Sequence, residues 1–395
     1  MGEGVMTTMT LSHHRIQHAV EVDLPLLGAA FALLCFGLVM VTSASIDVAE
    51  VRNQQALFYF WRHSAYILIG LFCGFVMLRV PLRWWHEQSW VLLAIAMTVL
   101  LAVLIPGIGK TVNGSTRWIS LGIINVQPSE IAKVCMVIYT ASYLVRRMDE
   151  VRGSWWGFIK PLLVLMIVAL LLLMEPDFGA LVVIMAAVVG MIFLSGVALK
   201  HFGALLIMCV SSVALLAVSQ PYRLKRLTAY TDPWADQFNS GYQLTQSLIA
   251  FGRGELTGVG LGNSVQKLFY LPEAHTDFVF AIIGEELGLI GVLVTLGLYG
   301  LLLWRGMSIA KSAERSGQLF NAYVGYGITL LLGVQALINL GVNTGLLPTK
   351  GLTLPLISYG GSSLIISCLC VGILLRIRAE LGAEEKSKNK SQEGA

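Results

Sequence analysis

The part of the sequence best suited to chemistry is "YLPEAHTDFVFAIIGEELG" (270–288), where several ionisable side chains stand in an apolar stretch. Ionisable groups in long apolar segments are costly and by default mark function. Asp277 leads into the apolar run, so we expect it in the first turn of a helix. There the helix N-terminus lowers the pKa of a carboxyl group, whereas partial burial raises it. That balance suits a general base, although a purely structural carboxylate at a helix N-terminus explains the position equally well.

Three other ionisable residues of this stretch, His275, Glu285 and Glu286, are assigned different roles. His275 either tunes Asp277 or caps the turn. Glu285 and Glu286 are adjacent and point to different faces of a helix, so at least one should face the interior of a helix bundle, in a packing or gating role. A helix rises 1.5 Å per residue, which puts both about 12 Å from Asp277, too far to share one reacting atom with it.

Two more pairs of ionisable residues interrupt apolar segments. Glu130 and Lys133 stand three residues apart, so they share a helix face and can neutralise each other. They are either a structural ion pair or a pair in which Lys133 reaches into a polar cavity. Glu175 and Asp177 flank Pro176 in "MEPDFG". We interpret them as solvated acids in a tight turn that cap the next helix.

Basic residues concentrate in one long segment, 220–275. Either they form a solvated loop surface, or they form an anion site that Lys110, Arg117 and Lys350 from other connections could join. The basic residues of this segment are Arg223, Lys225, Arg226, Arg253 and Lys267.

The composition determines which elements must hold these groups. Of 395 residues, 56% are hydrophobic and only 13% are charged, about half the charge of a soluble domain. Apolar runs long enough to span a bilayer recur along the chain. The fold class is therefore an all-α polytopic membrane protein with about ten transmembrane helices. The predicted spans are 24–45, 62–80, 88–106, 128–145, 158–174, 177–197, 201–219, 276–304, 318–345 and 353–377.

Charge gives an expected orientation. With both termini cytoplasmic, the cytoplasmic side carries sixteen of the 27 basic residues, as the positive-inside rule requires. We expect a cytoplasmic tail over 1–22, a membrane domain over 23–380 and a disordered cytoplasmic tail over 381–395. Segment 220–275 is expected to be a large structured periplasmic loop between helices 7 and 8. It should contain an amphipathic helix in "NSGYQLTQSLIAFGRGE" and a compact turn at Gly254, Gly258, Gly260 and Gly262.

Several long motifs resemble blocks of the SEDS family, named for shape, elongation, division and sporulation. They are "STRWISLGIINVQPSEIAK" (115–133), "EPDFG" (175–179), "GYQLTQSLIAFGRGE", "YLPEAHTDFVFAIIGEELG" and "NLGVNTGLLPTKGLTLPLISYGGSSL" (339–364), in family order over about residues 24–380. Lys350 within "LPTKGLTLP" is typical of the proteobacterial division branch rather than the elongation branch.

The resemblance implies a ten-span peptidoglycan glycosyltransferase in the bacterial inner membrane at the division septum. It would polymerise lipid II into β-1,4-linked glycan strands. The implied partners are a class B penicillin-binding protein (the septal transpeptidase FtsI) and the activators FtsQ, FtsL, FtsB and FtsN; no nucleic acid is expected. The family's essential aspartate falls on Asp277, its arginine–tryptophan pair on Arg117 and Trp118, and its glutamate–lysine pair on Glu130 and Lys133.

On this reading Asp277 is the general base, and basic side chains bind the diphosphate of the substrate. The candidate ligands are Arg117, Lys133, Arg223, Arg226 and Lys350. The sequence shows no dedicated metal cluster, and a divalent cation, Mg²⁺ or Mn²⁺, near the diphosphate is left open. Two other functions remain open: a lipid II flippase, which internal charges would also suit, and a non-catalytic divisome scaffold.

Overall fold

The computed structural model describes residues 22–112, 115–120, 122, 125–218 and 230–393. The helices within these ranges are α1 (Leu24–Asn53), α2 (Phe58–Arg79), α3 (Leu82–Glu87), α4 (Ser89–Val103), α5 (Pro128–Arg146), α6 (Met148–Gly153), α7 (Trp155–Met174), α8 (Phe178–Leu194), α9 (Leu199–Val218), α10 (Tyr242–Gly254), α11 (Val279–Arg315), α12 (Leu319–Asn343) and α13 (Gly361–Glu393). The strands are β1 (Gly109–Val112), β2 (Ser115–Ser120) and β3 (Asn125–Val126), which pair antiparallel in that order.

A helix coincides with each of the ten predicted spans. Five of these helices, α1, α2, α7, α11 and α12, are long and apolar enough to cross a membrane. Three others, α4, α8 and the first part of α9, are apolar but shorter. The polytopic helical fold is confirmed, and the number of crossings stays a prediction.

Helix α12 lies at the centre of the bundle. It packs against α11, α8, α5 and α13, and nearly all of its residues from Asn321 to Asn343 are buried. Helix α2 is peripheral and packs chiefly against α13, leaving large apolar side chains such as Phe72 and Phe75 exposed. Polar side chains on α12 therefore point into the protein, where each needs a hydrogen-bond partner.

Helix α11 is broken at Gly288, so the predicted single helix over 276–304 is wrong. Gly288 has φ 62° and ψ −158°, a conformation that favours glycine. The break leaves backbone N–H and carbonyl groups of α11 without hydrogen-bond partners inside the helix. The loop that follows α10 supplies the partners. The N–H groups of Val259 and Gly260 donate to the carbonyls of Glu285 and Glu286, each at 3.0 Å. In the other direction, two N–H groups of α11 just after the break donate to carbonyls of the loop.

Glu285 and Glu286 are both completely buried and hold the same loop in place. Glu285 lies 3.5 Å from Arg253, and Glu286 lies 3.0 Å from Lys267 and accepts from Ser43 at 2.7 Å. The prediction that at least one of them faces the interior is confirmed, and their ion pairs support the packing role over the gating role. Arg253 and Lys267 are held in these ion pairs, so the anion site that is one of the two alternatives for segment 220–275 is not formed by these two residues.

The remaining predictions about loops and tails have mixed outcomes. The amphipathic helix is present as α10, and the glycines at 258, 260 and 262 all have positive φ angles, which confirms the compact turn. The disordered tail over 381–395 is wrong as far as Glu393, because α13 continues that far through a segment rich in strong helix formers. The small sheet was not predicted, and the tail residues 1–21 lie outside the described residues.

Candidate active site

One end of the bundle holds a cavity of about 1040 Å³. Its wall is built from the first turns of α2, the small sheet, the turn between α7 and α8, the turn before α11, and residues 350–353 and 359–361. Five sequence-predicted site residues line it: Arg117, Trp118, Glu130, Asp277 and Lys350. The predicted ligands Arg223 and Arg226 lie outside the described residues.

Asp277 stands two residues before α11, so the expectation that it lies in the first helical turn is wrong. The reason is a turn in which the N–H groups of Thr276 and Phe278 both donate to the Glu273 carbonyl, at 3.1 and 3.3 Å. This turn delays the helix until Val279. The carboxylate faces the segment that follows α12, since a methyl group added to Gly351 would come within 2.8 Å of the Asp277 Oδ2.

His275 packs in an aromatic cluster behind the cavity wall. Its ring centroid lies 4.6 Å from that of Tyr59 and 5.7 Å from that of Tyr359, and its carbonyl accepts from the Tyr359 N–H at 3.0 Å. Burial lowers the pKa of His275, so the imidazole is neutral at pH 7. These contacts tie His275 to the neighbouring aromatic side chains, and its two predicted roles, tuning Asp277 or capping the turn, stay predictions.

Three cationic side chains line the cavity: Arg62, Arg117 and Lys350. The Arg117 guanidinium donates to the carbonyls of Glu175 and Pro176, at 3.1 and 2.5 Å. The Lys350 ammonium lies 4.0 Å from the centre of the Phe178 ring, a cation–π contact. Because these cationic side chains and Asp277 line the same cavity, it is suited to an anion beside Asp277.

Glu130 and Lys133 form the predicted ion pair, 2.8 Å apart. Glu130 lines the cavity, but Lys133 is 1% exposed and does not. Its ammonium also donates to Gln335 Oε1 at 2.6 Å. The structural reading of the pair is therefore confirmed, and the structure does not bring Lys133 to the cavity as a direct substrate ligand.

Glu175 and Asp177 are buried, so the expectation of solvated acids is wrong. The capping role is confirmed for Asp177, which accepts from the Ala180 N–H at 3.2 Å and also from Ser129 Oγ at 2.8 Å. The Glu175 carboxylate has no hydrogen-bond partner among the described residues. Burial, and secondarily the charge of Asp177, raise the pKa of Glu175 to about 8.

Several cavity residues were missed by the sequence reading. Arg62, Tyr66 and Tyr359 line the cavity, and the Arg62 guanidinium donates to the Tyr66 hydroxyl at 3.4 Å. The side chains of Asn339 and Asn343 bind the backbone of Asp277. The signal for the two asparagines was visible, because polar residues four apart in an apolar helix share one face.

A metal centre built from protein side chains alone is not found among the residues that the structure describes, where no three His, Cys, Asp or Glu side chains are grouped suitably. Glu130 and Asp177 on the cavity wall already bind Lys133 and Ser129. Asp277 and Glu273 are the other carboxylates that line the cavity. That donor set fits a cation whose remaining ligands come from a bound diphosphate.

The sequence matches known proteins over nearly its whole length. The sequence model of the FtsW/RodA/SpoVE group, described as cell cycle proteins, matches residues 25–382. A protein of Hahella chejuensis named "Probable peptidoglycan glycosyltransferase FtsW" is 75% identical, over 98% of this chain and 97% of its own. A protein of the same name from Pseudomonas fluorescens is 56% identical, over 94% and 92%.

The fold matches solved structures as well. A chain from "Structural coordination of polymerization and crosslinking by a peptidoglycan synthase complex" superposes with a TM-score of 0.74 and 28% identity, covering 92% of this chain and 99% of that one. Thermus thermophilus RodA, a rod shape determining protein, superposes with a TM-score of 0.67 and 28% identity, covering 91% and 97%.

Proposed function

Because this chain belongs to the FtsW/RodA/SpoVE family of cell cycle proteins, the SEDS family, we propose that it is a multi-pass membrane peptidoglycan glycosyltransferase of the division type. Its substrate is lipid II, a disaccharide-peptide joined by diphosphate to a polyprenyl chain. The observation that carries this proposal is the cavity in which the Asp277 carboxylate, Arg117 and Lys350 lie together at one end of the bundle. Because these three side chains lie together at one end of the helix bundle, they favour an enzyme that works at the membrane surface. A transporter would concentrate its polar groups near the midplane of the membrane.

Asp277 acts as the general base. It removes the proton from the 4-hydroxyl of the acceptor sugar as that oxygen attacks the anomeric carbon of the lipid-linked strand. The new C1–O4 bond forms as the bond from C1 to the diphosphate oxygen breaks, and the diphosphate leaves with its lipid. Attack from the side opposite the leaving group inverts the anomer and gives a β-1,4 link, with no covalent enzyme intermediate.

Positive charge stabilises the departing diphosphate. Arg117 offers paired N–H donors, and Lys350 offers a point charge. Trp118 and Glu130 contribute further cavity wall against the sugar and diphosphate. Arg223 and Arg226 are proposed as diphosphate ligands because they are basic residues of segment 220–275, whereas Lys133 supports the site from beneath through Glu130.

A divalent cation, Mg²⁺ or Mn²⁺, would be held mainly by the diphosphate oxygens, with Asp277 or Glu273 on the cavity wall as a protein ligand. When bound, it supplies charge that neutralises the leaving group. Chelation should then slow polymerisation, and added Mg²⁺ or Mn²⁺ should restore the rate.

The proposed setting is the bacterial inner membrane at the septum, with both termini cytoplasmic and the cavity on the outer face. The partner is a class B penicillin-binding protein, the septal transpeptidase FtsI, with FtsQ, FtsL, FtsB and FtsN as activators. A similar fold occurs in a peptidoglycan synthase complex, which supports an enzyme that works with a cross-linking partner.

The test is polymerisation of purified lipid II by the purified chain, with and without the class B partner. An enzyme makes glycan polymer, and the Asp277→Ala variant inserts normally but makes none. A flippase instead moves labelled lipid II across a vesicle membrane without polymer, and a scaffold does neither. Polymer at the wild-type level from Asp277→Ala would contradict the base assignment.

A further inference from the structure

Three carboxamide side chains form a row along the inner face of α12. Gln335, Asn339 and Asn343 are spaced four residues apart, so they lie one above another on one helix face. None is more than 2% exposed. We call these three residues the amide row. Buried amides in a central helix must be hydrogen-bonded, and their partners show what they hold.

Asn343 holds the end of the turn that carries Asp277. Its Nδ2 donates to the Asp277 carbonyl at 2.9 Å, and its Oδ1 accepts from the Ala281 N–H at 3.1 Å. The N-cap residue of α11, Phe278, makes no side-chain cap hydrogen bond. An N-cap side chain normally accepts a hydrogen bond from an N–H group in the first turn of its own helix. Here Asn343, on the neighbouring helix α12, accepts that bond for α11.

Asn339 joins the two segments that meet at the carboxylate. Its Nδ2 donates to the Asp277 carbonyl at 2.8 Å and to the Leu352 carbonyl at 2.5 Å. Leu352 comes directly after Lys350 and Gly351 in the sequence. Gly351 lies beside the Asp277 carboxylate, since a Cβ added there would be 2.8 Å from its Oδ2. A single side chain thus fixes the backbone of the proposed base relative to the backbone beside the proposed diphosphate ligand.

Gln335 connects the same segment to the buried ion pair. Its Nε2 donates to the Thr353 carbonyl at 3.0 Å, and its Oε1 accepts from the Lys133 ammonium at 2.6 Å. Lys133 in turn binds Glu130 on the cavity wall. The amide row therefore runs unbroken from the ion pair on α5, past the 351–353 backbone, to the turn before α11.

We propose that the amide row of α12 is a positioning device that sets the separation of Asp277 from the Lys350–Gly351 backbone. Asn339, which contacts both segments, is its central member, and Lys133 acts through Gln335 rather than on the substrate. The structural part stands on the contacts alone, and the catalytic part rests on the proposed function. Small displacements of a catalytic group cost large factors in rate, so loss of the row should lower turnover more than substrate binding.

The structural part is tested without any assay of activity. In the full chain carrying Asp277→Cys and Gly351→Cys, oxidation should form a disulfide between the two positions, measured as linked peptides by mass spectrometry. Adding Asn339→Ala should slow this cross-linking about tenfold. Adding Asn321→Ala should not, although Asn321 is also a buried, hydrogen-bonded asparagine of α12, at the opposite end. Equal rates in all three proteins would overturn the proposal.

The catalytic part is tested by lipid II polymerisation with the class B partner. Asn339→Ala should reduce kcat by about ten- to a hundredfold and leave KM for lipid II within about threefold, while Asn321→Ala keeps wild-type kcat. Normal kcat in Asn339→Ala, with slowed cross-linking, would refute the catalytic role alone. If the wild-type chain made no polymer, the proposed function would fail, and the cross-linking result would still decide whether Asn339 joins the two segments.

Discussion

Adding one methyl group beside the proposed base should separate folding from catalysis. Gly351 is exposed, and its substitution by alanine would bring the new Cβ to 2.8 Å from the Asp277 Oδ2. Ordinary van der Waals contact begins near 3.4 Å, so the carboxylate must move by about 0.6 Å. The atom that yields is the end of a side chain rather than backbone, so the fold should tolerate the change. Alanine also restricts the unfolded chain, which offsets part of any cost.

Catalysis should not tolerate it. A misplacement of about 1 Å in a reacting group can cost a factor of about 100, so Gly351→Ala should lower kcat for lipid II polymerisation ten- to a hundredfold. The matched control is Gly300→Ala in α11, where a Cβ meets nothing within 4 Å. The assay is polymer length and rate by gel, with thermal stability measured in parallel. Wild-type turnover in Gly351→Ala would refute the claim that the position of the Asp277 carboxylate limits the rate.

Three further outcomes follow from the contacts. Lys350→Ala should raise KM for lipid II about tenfold with little change in thermal midpoint, and an unchanged KM would argue against a diphosphate role. The pKa of Glu175 is about 8 when folded and near 4.5 when unfolded, so the folded chain holds the extra proton and wild-type stability falls as pH rises from about 4.5 to 8. Glu175→Gln should flatten that slope in thermal midpoints measured between pH 5 and 9, and an unaltered slope would contradict the assignment. Lys267→Met leaves Glu286 buried without its cation and should lower the free energy of unfolding by about 3–5 kcal/mol. Adding Glu286→Gln should largely restore it, and no recovery would show that the loss of this ion pair is not the cause.

Local patterns in the sequence predicted what depends on local spacing. The i, i+3 spacing of Glu130 and Lys133 predicted their ion pair, and the glycines at 258, 260 and 262 predicted a tight turn. The apolar runs predicted the positions of the long helices. The family motifs predicted which side chains would share a cavity, and the structure brings five of them together.

Features that depend on distant partners could not be predicted. An apolar run containing glycines is typical of a continuous helix, and the break at Gly288 is stable because a loop some thirty residues earlier binds the freed backbone groups. The same loop supplies Arg253 and Lys267 to Glu285 and Glu286, which removed two cations from the expected anion site. Burial of Glu175 likewise depends on how neighbouring helices pack around the turn.

The segment between α12 and α13 shows the same limit at the site itself. Residues 353–360 were assigned to a membrane span because they are apolar, yet helix α13 begins only at Gly361. This irregular backbone is tolerated because buried side chains satisfy it: Gln335 binds the Thr353 carbonyl and Ser358 binds the Leu354 N–H. Irregular backbone is tolerated in membrane proteins where it is buried in protein or lines a cavity, and both ends of this segment, Thr353 and Tyr359, line the cavity.

The most direct test of the central claim is the turnover of Asp277→Asn at saturating lipid II, with the class B partner present. Asparagine has the shape of aspartate but cannot accept the proton of the attacking hydroxyl. If Asp277 is the general base, kcat should fall by about 10²–10⁴ while the variant still binds lipid II and its partner. Turnover within a few-fold of wild type, in a correctly folded variant, would contradict the account.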